Sequence, residues 1–177
     1  MFIRLLTTTF FLLGVANCQG GETGPTLPET WHGVWIGKLT VYSDDGKPSE
    51  LPMELHVGPI EGKKAYTWRI IYGVDKKRQV RNYELLPEGE KAGHFKIDEK
   101  NGILIDARLM GDAIYCYFKV NEVLISAKYE RRGESLFVEI ASVGLKEPRV
   151  TGIKSRMFEV EAYHLQFVQA GELKKKG

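Results

Sequence analysis

This sequence is poor in cysteine, in long hydrophobic runs and in helical periodicity. Its two cysteines among 177 residues are Cys18, near the N-terminus, and Cys116, inside an apolar segment. We therefore expect no disulfide within the folded part of the chain. No apolar run is long enough to cross a bilayer as a helix. These absences disfavour a disulfide-rich scaffold, a helical membrane protein and a helical bundle.

The sequence also has no large excess of charge of either sign. The chain has 25 Lys and Arg residues against 23 Asp and Glu, a formal net charge of +2. Four of the basic residues, Arg4, Lys174, Lys175 and Lys176, lie near the two ends, so the body between them is slightly acidic. A nucleic-acid-binding domain needs a basic face with interleaved aromatic residues. None is visible, so we expect no nucleic acid among the partners.

The N-terminal residues resemble an export signal. Arg4 precedes a short apolar run at 10–13, which predicts a signal peptide over residues 1–18. The segment Leu13-Gly14-Val15-Ala16-Asn17-Cys18 resembles a bacterial lipobox, which implies lipidation of Cys18 and a lipid anchor in the cell envelope. Residues 19–30, rich in Gly, Thr and Pro, then form a flexible tether. The alternative is ordinary cleavage, giving a periplasmic or secreted protein.

Residues 31–170 alternate between short strand patterns and turn residues. Asp44-Asp45-Gly46-Lys47 and Lys100-Asn101-Gly102 are strong turn signals. Ten strands are counted, ending with a less regular stretch at 143–155 and a final strand from about Met157 to Val168. The links have hairpin length, so we predict an all-β antiparallel meander closed into an 8–10-stranded barrel. A two-sheet sandwich is the competing fold, and 171–177 is expected to be a solvated basic tail.

The first strand carries a family resemblance. Gly33-Val34-Trp35 resembles the Gly-x-Trp signature of lipocalins, and the strand count is similar to that of the wider group with the fatty-acid-binding proteins. This resemblance implies a lipocalin-like barrel with an internal ligand cavity and with Trp35 at the closed end. It also implies an arginine packed over that tryptophan, for which Arg156 is the candidate. Segments such as Trp68-Arg69-Ile70-Ile71-Tyr72 resemble uncharacterised bacterial lipoproteins.

No catalytic or metal-binding pattern is apparent. The histidines lack ligand spacing: His32, His56, His94 and His164. No Gly-x-Ser-x-Gly elbow occurs, and Cys116 has no positive neighbour that would make it a nucleophile, so it is predicted to be a packed small hydrophobe. We expect no metal, no cofactor and no enzymatic activity. The alternative is a haem in the cavity with a single axial histidine.

Aromatic and arginine positions in two neighbouring strands form the candidate site. Tyr66, Trp68 and Tyr72 share one face of the third strand, and Arg69 and Arg81 stand on this strand and the next. Aromatic walls with one or two placed cations suit an amphipathic anion. The competing interpretation is that the aromatic residues are core and both arginines face solvent.

Three functions follow from these observations. The first is an exported, membrane-tethered, non-catalytic barrel that binds a small apolar or amphipathic ligand. The second is an envelope protein-interaction module whose barrel is filled by its own side chains. The third is an enzyme whose site forms only in the fold.

Overall fold

The computed structural model describes residues 24–44, 46–153 and 158–177. Cys18, the predicted leader and Arg156 lie outside these ranges. Within them the chain forms ten strands and two short 3₁₀ helices. The strands are β1 (Gly33–Ser43), β2 (Ser49–Pro59), β3 (Tyr66–Tyr72), β4 (Gln79–Pro87), β5 (His94–Asp98), β6 (Leu104–Met110), β7 (Ala113–Val120), β8 (Val123–Arg132), β9 (Ser135–Ile153) and β10 (Phe158–Lys175). The 3₁₀ helices are Glu29–Trp31 and Asp75–Lys77. Neither of them, nor any other described segment, is an apolar helix of membrane-spanning length.

The strands form one closed antiparallel barrel. Each strand pairs with the next along the chain, and β1 closes the ring by pairing with β10 from Trp35↔Lys175 to Ser43↔Phe167. The all-β meander barrel predicted from the sequence is confirmed. The sandwich is excluded, since every strand belongs to this single sheet.

The turn residues act as the sequence predicts at the β5–β6 hairpin. Lys100 and Gly102 adopt positive φ angles of 63° and 95°. The Asp98 carboxylate accepts a hydrogen bond from the backbone N–H of Lys100 (2.7 Å), and the Asn101 side-chain oxygen accepts one from Ile103 N–H (2.9 Å). Short polar side chains stabilise turns by such local bonds. The hairpin therefore follows from local chemistry.

Glycine is required where β1 meets β10. Gly33 has φ +137°, a conformation that L side chains rarely adopt. A Cβ on Gly37 would lie 2.5 Å from the carbonyl oxygen of Glu172 and 2.9 Å from a methyl carbon of Leu173. These two positions let the first and last strands approach closely enough to complete the ladder.

Trp35 closes one end of the barrel. Its side chain is fully buried, and its indole Nε1 donates a hydrogen bond to the Trp31 carbonyl oxygen at 2.9 Å. The guanidinium of Arg131, at the end of β8, lies 4.4 Å from the centre of the indole ring. The resemblance implies such an arginine with Arg156 as candidate; Arg156 lies outside the described residues, and within them Arg131 lies over Trp35, with the Lys175 ammonium 5.5 Å from the same ring. Its place in β8 is set by the register with Leu136 in β9.

The N-terminal approach to the barrel also packs at this end. Leu27 is buried, and its backbone N–H donates to the Tyr66 hydroxyl at 3.0 Å. Part of the segment expected as a tether, residues 24–30, thus contacts the barrel. Burial of Leu27 and Trp31 accounts for this contact, because burying a large apolar side chain stabilises the fold by about 1.5–3 kcal/mol.

The last two strands are longer than the sequence pattern indicates. β9 continues through the stretch 143–155 as far as Ile153, and β10 runs on to Lys175, into the segment expected as a tail. The ladder is irregular between the pairs Ala162↔Arg149 and His164↔Gly144. Pro148 and Glu147, whose φ is 51°, lie in this bulge. They interrupt the alternation of inward and outward residues, so the sequence pattern does not indicate a continuous strand here.

Candidate functional site

A cavity of about 910 Å³ occupies the half of the barrel away from Trp35. It opens where the β3–β4 connection carries the second 3₁₀ helix, Asp75–Lys77, and Lys77 lies at its edge. The volume is within the range of small-molecule sites, about 300–1,000 Å³. The barrel therefore has unfilled space that is reachable from one end.

The deep part of the cavity is apolar. Its wall is built from alternate, inward-facing residues of successive strands, as expected for a small barrel. These residues are Trp68, Ile70, Ile97, Ile105, Cys116, Phe118, Ile125, Ala127 and Ile140. Such a wall excludes water and favours a hydrocarbon or aromatic guest over a polar one.

The polar side chains are concentrated near the mouth. The Arg81 guanidinium lies 5.2 Å from the centre of the Tyr72 ring, and both residues line the cavity. Burial raises the pKa of the Tyr72 hydroxyl, and the nearby Arg81 charge partly opposes this rise. Tyr83 and Glu99 stand beside Arg81, and burial followed by the Glu99 charge raises the pKa of Tyr83. At neutral pH the mouth thus offers the Arg81 guanidinium beside two neutral phenols, with Lys77, Glu50 and Glu99 also in its lining.

Two further titratable groups line the apolar part. Burial raises the pKa of the Cys116 thiol to about 12, with a smaller contribution from Asp106. Burial also raises the pKa of Tyr129 well above its usual value. Both groups are neutral at physiological pH. Cys116 is buried as predicted, and its thiol is a poor nucleophile in this environment.

The structure separates the five predicted site residues into two groups. Trp68, Tyr72 and Arg81 line the cavity. Tyr66 shares their strand face but lies nearer the closed end, where it packs against Phe95 with ring centres 6.5 Å apart. Arg69 lies between Trp68 and Ile70 in β3 and therefore points to the outer face.

Several cavity residues were not singled out from the sequence. Phe118, Ile125 and Phe167 are on strands that were predicted, and alternation places them inside, but it does not say which inward residues reach unfilled space. Lys77 and Glu99 lie in the connections at the mouth. A connection gives no periodic signal, so only the fold brings these charges to the site.

Two of the described histidines make contacts of their own: an ion pair with Glu54 and a ring contact with Tyr66. His56 Nε2 lies 2.7 Å from the Glu54 carboxylate, and the His32 ring lies 5.8 Å from that of Tyr66. The described residues contain no group of three or more His, Cys, Asp or Glu side chains arranged to hold a metal ion.

The described strands form a closed antiparallel meander barrel with an interior cavity. A solved structure has a similar fold. The chain is similar to the S-type phycobiliprotein lyase CPES from Guillardia theta, with a TM-score of 0.57 and 6% sequence identity. The match covers 84% of this chain and 90% of that chain. At this identity the likeness concerns the fold alone.

Comparisons of sequence give no further relatives. No protein-family model and no curated protein matches the chain. The resemblance to bacterial lipoproteins therefore remains a prediction from the sequence.

Proposed function

We propose that this protein binds a small apolar or amphipathic molecule in its barrel and does not transform it. The observation that carries the proposal is the cavity of about 910 Å³, with its apolar wall and with Arg81 at its mouth. A pocket with a mostly apolar lining and a few convergent polar groups is the usual form of a ligand site.

The arrangement of charge suggests how the ligand is oriented. Its apolar part lies against Trp68 and the inner aliphatic residues, and its anionic group lies at the mouth near Arg81. Two carboxylates also line the cavity: Glu50, which is paired with Lys38 at 2.7 Å, and Glu99, which accepts a hydrogen bond from the Asn101 amide at 3.3 Å. A guanidinium can bind a carboxylate or phosphate by two parallel hydrogen bonds.

The side chains inside the cavity support binding without catalysis. The candidate nucleophile is Cys116, whose thiol is protonated at neutral pH because its pKa is raised to about 12. The buried tyrosines Tyr72 and Tyr129 are likewise neutral. None of these groups is poised to exchange a proton near pH 7.

The structural neighbour suggests one particular ligand to test. That protein is a phycobiliprotein lyase, and a bilin is an amphipathic anion of the kind that the mouth and wall suit. Biliverdin therefore belongs beside a fatty acid in a binding series.

We further propose that the protein is exported and held to the cell envelope through a lipid on Cys18. The support is the sequence of residues 1–18. Intact-mass measurement on protein from its native membrane fraction tests this: an acylated chain beginning at Cys18 is expected. A mature chain that begins elsewhere and lacks acyl groups would exclude the anchor.

Binding is tested by titrating the purified protein with palmitate and with biliverdin, while the fluorescence of the cavity residue Trp68 and the other tryptophans is followed. We expect saturable binding of at least one ligand. Because a hydrogen bond to a charged group contributes about 1.5–3 kcal/mol, Arg81→Ala should weaken binding about ten- to a hundredfold. Arg69→Ala, on the outer face of the neighbouring strand, is the matched control and should bind as the wild type does.

Two results would contradict the proposal. One is the absence of any ligand, both in these titrations and in solvent extracts of the native protein analysed by mass spectrometry. The other is equal loss of binding in the Arg81 and Arg69 variants. The first result would favour the alternative function, a protein-interaction module, although the unfilled cavity counts against the filled barrel which that alternative assumed.

A further inference from the structure

A hydrogen-bond donor in the cavity wall has no partner. Trp68 is fully buried on β3 and lines the cavity, and its indole Nε1–H makes no hydrogen bond to another described residue. Buried polar groups are almost always hydrogen-bonded, because a buried donor without an acceptor has given up its bonds to water without replacement. A donor in this position is therefore available to an acceptor atom on a ligand.

Tyr129 brings a second donor to the same part of the cavity. It lies on β8 and lines the cavity, and its ring packs edge-on against that of Trp68, with ring centres 5.0 Å apart. The polar ends of the two side chains are also close, since the Trp68 N–H lowers the pKa of the Tyr129 hydroxyl against the larger effect of burial, which raises it. The hydroxyl is protonated at physiological pH, so it has an O–H to donate.

The chemistry of this pair favours a neutral oxygen as the acceptor. An indole N–H can only donate, and a protonated phenol can donate as well. A carbonyl oxygen has two lone pairs and brings no donor of its own, so a single carbonyl can accept from both groups. A carboxylate here would lose its hydration among Ile70, Ala127 and other apolar side chains, which is costly for a charge.

The strand register places the two donors deeper in the barrel than the mouth. Arg81 of β4 pairs with Ile70 of β3, and Trp68 is two residues further along β3 toward Tyr66 and the closed end. Two residues of a strand span about 7 Å. A ligand whose anionic group lies at Arg81 thus presents its apolar part to Trp68 and Tyr129, and the acceptor belongs within that part.

We propose that the ligand is an amphipathic anion with a carbonyl oxygen inside its apolar part. This oxygen accepts hydrogen bonds from the Trp68 indole N–H and the Tyr129 hydroxyl. The inference depends on the proposed ligand-binding function and names the class of ligand.

The test compares palmitate with keto-palmitates that carry one ketone near the carboxylate, at the middle of the chain or near its tail. Each is used below the concentration at which it aggregates, and binding is measured by calorimetry. Tyr129→Phe removes one donor with little change of shape. Trp68→Phe removes the other, and the ratio of keto-palmitate to palmitate affinity cancels any loss of packing that affects both ligands alike.

Tyr115→Phe is the matched control. Tyr115 precedes the cavity residue Cys116 on β7 and therefore faces outward, where the Lys128 ammonium lies 5.8 Å from the centre of its ring. This variant also loses one phenol hydroxyl, but outside the cavity.

We expect the wild type to bind one keto isomer about tenfold more tightly than palmitate, corresponding to about 1.4 kcal/mol. Tyr129→Phe and Trp68→Phe should each reduce this preference to about threefold or less, because each removes one of the two hydrogen bonds. Tyr115→Phe should keep the full preference. Binding of palmitate by the variants shows that their barrels are folded.

The outcomes separate this inference from the proposed function. If the wild type binds palmitate but prefers no keto isomer, the carbonyl inference is overturned and the ligand-binding function stands. The same holds if the preference survives in both Tyr129→Phe and Trp68→Phe, or if Tyr115→Phe abolishes it as well. If neither palmitate, any keto-palmitate nor biliverdin binds, both proposals fall.

Discussion

Replacing Ala127 by leucine should block the cavity without destabilising the barrel. Ala127 is on β8, pairs with Cys116 and Ile140, and lines the unfilled space. Leucine adds three carbon atoms there. At about 0.8 kcal/mol per buried CH₂ the added group can contribute up to about 2 kcal/mol. Loss of rotamer freedom offsets about 0.5–1 kcal/mol of this gain. We expect stability equal to the wild type or about 1 kcal/mol higher.

Ala107 offers the matched substitution. It is fully buried on β6 and pairs with the same Cys116, but it is packed against the core and does not line the cavity. Leucine at this position must displace its neighbours. Overpacking of this kind costs about 1–3 kcal/mol. The two variants differ in whether the leucine side chain enters unfilled space or displaces packed neighbours.

Urea unfolding followed by tryptophan fluorescence measures the stability of both variants, and the palmitate titration measures binding. Ala127→Leu should have an unfolding midpoint equal to or above that of the wild type and should lose at least tenfold in affinity. Ala107→Leu should unfold at lower urea concentration and, where still folded, should bind as the wild type does. If Ala127→Leu were destabilised as much as Ala107→Leu, the interior beside Ala127 would be filled and would leave no space there for a ligand.

Two further predictions concern the contact between β1 and β10 and the buried thiol of Cys116. Gly37→Ala should lower the free energy of unfolding by about 1–3 kcal/mol, because its Cβ would lie 2.5 Å from the Glu172 carbonyl oxygen. Gly58→Ala, with no atom within 4 Å of the new Cβ, should be near neutral, and equal effects in urea unfolding would contradict the close approach of the two strands as the cause. Because the folded pKa of Cys116 is raised from 9.0 to about 12, its contribution to stability is present below pH 9 and is lost as the pH rises toward 12. Cys116→Ala should therefore show a smaller decline in stability over this range, and an identical decline in both proteins would exclude a thiol contribution.

Much of the fold could be predicted because its signals are local. Asn101-Gly102 specifies a hairpin through backbone conformation, and hairpin-length links leave few ways to arrange ten strands. The position of Trp35 followed from the Gly-x-Trp resemblance. In contrast, the arginine stacked on Trp35 depends on the register of β8 with β9. Register between strands is not a property of either strand alone, so Arg131 could not be selected from the sequence.

The candidate site was predictable only in part. Alternation assigns Tyr66, Trp68 and Tyr72 to one face, but the boundary between packed core and unfilled space falls between Tyr66 and Trp68. That boundary depends on how side chains from all ten strands meet. Arg69 and Arg81 look alike in sequence, and only the strand register directs Arg81 inward, opposite Ile70.

The pairing of β1 with β10 also bears on how the chain reaches its native state. Trp35, in the first strand to be synthesised, finds its partner at Lys175 in the last. The ring cannot shut until β10 has left the ribosome, so final folding waits for the synthesis of every strand. Contacts between such distant positions in sequence slow the search for the native topology. During that interval the unpaired edges of the growing sheet are exposed to other chains, a period in which assistance from chaperones would matter most.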